Sequence, residues 1–99
     1  MDELVDLLAS LVAIDSVNPA FGGPGEGAIG RFVAAHLSGH GIPVSLEEVL
    51  PGRPNVVGVL AGRDRSRSIL LEAHMDTVST VGMTIPPHEP AIRGGRLPG

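Results

Sequence analysis

Leu4, Leu7, Leu8 and Leu11 fall at i, i+3, i+4 and i+7, the stripe of an amphipathic helix, which predicts a helix over residues 2–14. Asp2 and Glu3 lie in its first turn, where the helix dipole favours negative charge. The pattern then breaks. SVNPAFGGPGEG (16–27) reads as a loop, because Asn-Pro turns the chain away from helix and four glycines follow. Helical spacing resumes from about Glu26 to His40, with Ile29, Phe32, Val33 and Leu37 on the inner face and Gly41 placed as the C-terminal cap.

Beyond Gly41 the period shortens to two. IPVSLEEVL (42–50) sets Ile42, Val44 and Leu46 on one side of a strand. PGRP (51–54) is a turn, and NVVGVLAG (55–62) a second strand, close enough to form an antiparallel hairpin with the first. After a charged turn at 63–68, Ile69-Leu70-Leu71 is a short continuous apolar run of the kind found in a central strand. The remainder is rich in Pro and Gly, and AIRGGRLPG (91–99) predicts a short hairpin turning at Gly94-Gly95. Two helices, an antiparallel strand pair and a central strand define an α/β layer pattern.

Composition narrows the function classes. With 99 residues, 42% hydrophobic content and mean hydropathy +0.25, the chain is globular and holds one core or part of one. Net charge is −4, all basic residues are Arg, and Phe21 and Phe32 are the only aromatic residues of the Phe, Trp and Tyr set. Neither a basic groove nor a base-stacking platform is available, so a nucleic-acid partner is not expected. Arg63, Arg65 and Arg67 read as a solvated turn. Cysteine is absent, so any metal must be held by His and carboxylates. No apolar run approaches the ~20 residues of a membrane span, and the acidic N-terminal stretch lacks a basic signal-peptide region; the expectation is a cytoplasmic protein.

The sharpest chemical feature is LLEAHMDTVST (70–80), an apolar run that ends on His74 and Asp76. Residues i and i+2 of a strand point to one side, roughly 6.5–7 Å apart at Cα, so the two side chains can meet. A carboxylate bonded to one imidazole nitrogen fixes the tautomer and leaves the other free for a metal. Spacing alone favours a structural hydrogen-bonded pair over a metal site. His36 and His40 have the i, i+4 spacing of a helical metal site but lack its glutamate, and the helix ends there, so the helix dipole accounts for them. GGPGEG (22–27) follows a helix and has no lysine, which makes it a flexible connection and not a phosphate loop. Ser16, Thr77 and Ser79 lack a nucleophile elbow, Glu47 and Glu48 face opposite ways on a strand, and His88 among prolines reads as an exposed loop residue.

Taken in order, SVNP (16–19), the Gly/Glu loop, GRPNVVGVLAG (52–62), ILLEAHMDTV (69–78), GMTIPPHEP (82–90) and GRLPG (95–99) resemble the N-terminal part of the dizinc amidohydrolases. That family includes acetylornithine deacetylase, succinyl-diaminopimelate desuccinylase, aminoacylase and carboxypeptidase G, and GMTIPP leans toward the acetylornithine-deacetylase-like branch. The resemblance implies a zinc-peptidase-like catalytic domain and hydrolysis of an amide bond in an N-acyl amino acid or small peptide. It makes His74 a zinc ligand, and Asp76 the catalytic-site carboxylate that orients and polarises it. Two zinc ions, or cobalt or manganese in their place, would be the cofactor. A homodimer formed through a downstream lid domain would be the assembly.

The same resemblance exposes what residues 1–99 do not carry. The aspartate that bridges the two metals, the Glu-Glu pair holding the general base, a further acidic ligand and a final histidine would all follow Gly99. Pro98 and His88 stand where the family favours aromatic residues. A catalytic zinc needs about three protein ligands and an open position. The expectation is therefore a partial catalytic domain, inactive by itself, within a metal-dependent hydrolase. The competing expectation is a non-catalytic α/β interaction module, or a decayed gene fragment, that uses its unpaired sheet edges.

Overall fold

The computed structural model describes residues 2–98. Gly99, the last residue of the GRLPG segment, lies outside them. The element order is α1 (Glu3–Val12), a 3-10 turn (Pro19–Phe21), α2 (Gly27–Gly39), β1 (Val44–Leu50) and β2 (Arg53–Gly58). Both helices fall where the apolar spacing places them. Asp2 sits outside α1 as its N-cap, with its carboxylate accepting from the Leu4 amide at 2.8 Å.

The C-terminus of α2 is closed by a Schellman motif. The Ile42 N–H donates to the Leu37 carbonyl at 3.1 Å and the Gly41 N–H to that of Ser38 at 3.0 Å, while Gly41 takes φ +76°. Glycine adopts this conformation without the Cβ penalty other residues incur. Leu37 and Ile42 then meet over the same point of the sheet, both within van der Waals range of a Cβ built at Gly58.

β1 and β2 form a two-stranded antiparallel sheet, from Val44 opposite Gly58 to Leu50 opposite Arg53, with a register shift between Glu48 and Leu50. Pro51-Gly52 makes the turn, and the Glu48 carboxylate accepts from the Gly52 amide at 2.8 Å. α2 lies on one face of this hairpin. At Gly30 the helix backbone comes so close that a Cβ would meet Pro54 at 3.1 Å, Val56 at 3.6 Å and Leu46 at 3.9 Å. The expected hairpin near the C-terminus is also present: Arg93 and Arg96 exchange backbone bonds of 2.8 and 3.0 Å around Gly94 and Gly95, both at positive φ.

Two expectations fail. Ile69-Leu70-Leu71 forms no strand among the described residues and is 89%, 85% and 90% exposed, because no neighbouring strand offers it backbone partners. GGPGEG is not an open connection; it folds back onto Val17, as described below. The buried apolar side chains are Val17 and Ile29, and the most buried polar one is Ser16. The radius of gyration, 15.5 Å, exceeds the roughly 13 Å of a compact domain this long. The architecture is a small, incomplete α/β unit with an unclosed sheet. No helix among the described residues is long and apolar enough to cross a membrane.

Candidate functional site

The loop after α1 and the segment after the apolar run are joined by a single parallel bridge, Val17 to Thr77. Thr77 donates its amide to the Ser16 carbonyl and Asn18 donates its own to the Thr77 carbonyl, each at 3.0 Å. This bridge holds His74 and Asp76 beside residues 16–18.

The glycine loop braces the other side of the bridge. Gly25 donates to the Val17 carbonyl at 3.0 Å, and Phe21 and Gly23 both donate to the Asn18 carbonyl, at 2.9 and 3.3 Å. A Cβ at Gly23 would run into the Val17 carbonyl and Cβ, so only glycine permits this approach. Nearby, Arg53 grips Glu26 through three contacts of 3.0–3.2 Å, tying the hairpin turn to the start of α2.

Within this frame His74 Nδ1 lies 2.8 Å from the Asp76 backbone carbonyl and 3.2 Å from Asp76 Oδ1. Both neighbours are acceptors, so Nδ1 carries a proton, and in the neutral imidazole the lone pair then lies on Nε2. The imidazole is 86% exposed and the carboxylate 32%. The second carboxylate oxygen, Oδ2, accepts from Asn18 Nδ2 at 2.8 Å. That bond is the main influence holding the Asp76 carboxyl below the usual carboxylate range; partial desolvation opposes it, and the neighbouring His74 adds to it.

Asn18 is the residue that sequence reasoning passed over. It sits inside SVNP, a segment noted for its loop-forming Asn-Pro and its resemblance, and a separation of 58 positions from Asp76 hides the pairing. His88 also differs from expectation. Its side chain is only 30% exposed, and Nε2 stands 3.5 Å from Asp15 Oδ1, which also accepts the Val17 amide at 3.0 Å. The loop brings His88 to the rim of a cavity of about 480 Å³ shared with Leu11, Ile14, Ser16, His74 and Asp76. A wider trough of about 790 Å³ runs between β2 and residues 70–76.

The other candidates stay apart from this site. His36 and His40 pack with ring centroids 4.6 Å apart, and His40 Nδ1 lies 2.9 Å from the His36 carbonyl at the end of α2. Glu48 is engaged at its hairpin turn, and Arg67 pairs with Asp64 at 3.3 Å in an exposed turn. Among the described residues, no group of three or more His, Cys, Asp or Glu side chains could hold a metal ion. The residues present therefore fit one corner of a metal site: an imidazole oriented through Nδ1, with Nε2 free.

A sequence similarity relates the chain to a metallohydrolase. Over an alignment of 114 residues it is 30% identical to an uncharacterized metallohydrolase of Methanocaldococcus jannaschii, covering 100% of this chain and 27% of that protein. The chain thus spans about a quarter of the relative's length. No family model matches the chain. No solved structure matches it.

Proposed function

We propose that residues 1–99 supply one corner of the active site of a metal-dependent hydrolase acting on the amide bond of N-acyl amino acids or small peptides. The observation that carries this reading is the His74–Asp76 geometry, with Nδ1 held by two acceptors on an imidazole that is 86% exposed. The similarity to a metallohydrolase over the whole chain supports it. His74 would bind the metal through Nε2, and Asp76 would hold the ring and its tautomer. When bound, the metal supplies Lewis acidity and brings the pKa of a water toward neutrality. Zinc suits an imidazole-and-carboxylate ligand set, with cobalt or manganese as substitutes. The remaining ligands and the general base would come from outside residues 1–99, as would any dimerising surface, and the working compartment would be the cytoplasm.

The test replaces the aligned quarter of the M. jannaschii relative with these 99 residues and assays zinc- or cobalt-dependent release of amino acids from N-acetylornithine and other N-acyl amino acids. Hydrolysis that His74→Ala abolishes is the expected result, together with no turnover by the 99-residue chain alone. A folded chimera whose hydrolysis survives His74→Ala, or turnover by the isolated chain, would overturn the proposal. A second reading draws on the exposed Ile69-Leu70-Leu71 run, whose Leu70 and Leu71 line a trough with β2, and on the outer edge of β2, which has no strand partner among the described residues. It makes the chain a strand-accepting interaction module, which would bind an extended partner without metal.

A further inference from the structure

Asn18 is held by its own loop from several directions. Its amide donates to Thr77, its carbonyl receives Phe21 and Gly23, and its side-chain Oδ1 accepts the Ala20 amide at 2.8 Å. Pro19 follows it and disfavours helical backbone at Asn18, which sits at φ −59°, ψ 138°. Because Oδ1 must face the Ala20 N–H, the Nδ2 group must face the other way, toward Asp76 Oδ2 at 2.8 Å. The side-chain donor is thus aimed by contacts that do not involve Asp76.

We infer that Asn18 is the positioning residue of this site: it fixes the Asp76 carboxylate through Oδ2, so that Oδ1 stays on His74 Nδ1 and Nε2 remains available to a metal. A carboxylate bonded only to an exposed imidazole can rotate about its side-chain torsions, whereas one anchored at both oxygens is limited to one orientation. The direction of the relay is Asn18 to Asp76 to His74, and it crosses from the α1–α2 loop to the segment after the apolar run. This inference rests on the reading of His74 as a ligand, but it makes a claim about the imidazole that holds without metal.

Asn18→Asp separates positioning from structure. Asp caps a turn as well as Asn does, so the bond to the Ala20 amide survives, while the donor to Asp76 is replaced by a second carboxylate. The readouts are the His74 tautomer, from the 15N shifts of its ring nitrogens in the 99-residue chain at pH 8 without metal, and cobalt affinity by titration of the chimera with the M. jannaschii relative. The native chain is expected to hold the Nδ1–H tautomer. Asn18→Asp should shift part of the population away from the Nδ1–H tautomer, the Asp76 backbone carbonyl at 2.8 Å retaining the rest, and weaken cobalt binding roughly 10-fold, the lower end of the loss seen when an outer ligand partner is removed.

The reciprocal variant Asn18→Asp/Asp76→Asn restores a donor–acceptor pair with its polarity reversed and should recover the native tautomer. A purely structural role for Asn18 predicts no such rescue. An unchanged tautomer in folded Asn18→Asp, or no rescue in the reciprocal variant, would overturn the relay. Should Asn18→Asp fail to fold, the scalar coupling across the Asn18 Nδ2–Asp76 hydrogen bond in the native chain decides: its presence supports the relay and its absence refutes it. A native tautomer in a folded M. jannaschii chimera whose cobalt affinity is unchanged by His74→Ala would leave the relay standing and defeat the metal-ligand reading instead.

Discussion

Replacing Ile69 by Thr, Leu70 by Ser and Leu71 by Thr together measures how much of the fold depends on the apolar run before His74. A Leu or Ile side chain contributes about 1.5–3 kcal/mol when fully buried. These three are 89%, 85% and 90% exposed, so the folded chain realises only a tenth or so of that contribution at each. The expected loss is ~0.3 kcal/mol per position, about 1 kcal/mol for all three. Were the run a packed central strand, truncations would cost about 2–5 kcal/mol each, enough to remove most or all of a stability of about 5–15 kcal/mol. Urea unfolding followed by circular dichroism at 222 nm distinguishes the two cases, and dye binding reports the exposed apolar surface. The helical signal and midpoint should stay close to native while dye binding falls. Loss of the transition, or a drop of more than about 3 kcal/mol, would refute the structure's placement of this segment.

Gly23→Ala should cost about 1–3 kcal/mol by overpacking against Val17 and should loosen the Thr77 amide in hydrogen exchange. Gly39→Ala, with open space around the new methyl, should be neutral or stabilising by up to about 1 kcal/mol. Glu26→Gln and Arg53→Met should each cost about 1.5–3 kcal/mol, since the three-contact pair is 13% and 29% exposed, and a double-mutant cycle should show the losses are not additive. Because the Asp76 carboxyl is held below its ordinary value, its contribution is complete above the unfolded pKa near 4 and is lost as pH falls through the lower folded value. The Asn18 side-chain amide signal should therefore hold constant from pH 8 to 5 and shift only in acid.

Local signals carried much of the secondary structure. The leucine spacing of α1, Gly41 at the end of α2 and the hairpin residues Gly94-Gly95 each encode their geometry within a few neighbours. Strand limits were less legible: β2 begins at Arg53, inside the stretch read as turn, and ends at Gly58, well before Gly62. The run at 69–71 was misjudged because apolar β-formers need a neighbouring strand to become one, and composition cannot report whether that neighbour is there. His88 was misjudged for a similar reason. Flanking prolines describe the loop's backbone, but only its path brings the imidazole to Asp15.

At the site, the sequence by itself determined that a histidine and an aspartate stand two residues apart after an apolar run, a spacing that lets their side chains meet. It also determined, through the lack of cysteine, that any metal would meet nitrogen and oxygen ligands. Tertiary structure decided which atoms engage: Nδ1 toward Asp76, Nε2 outward, and Oδ2 on Asn18 from 58 positions away. The reason is that local preference fixes backbone conformation over a few residues. The orientation of a carboxylate depends on a donor delivered by another part of the chain, here across the Val17–Thr77 bridge that Gly23 allows to form.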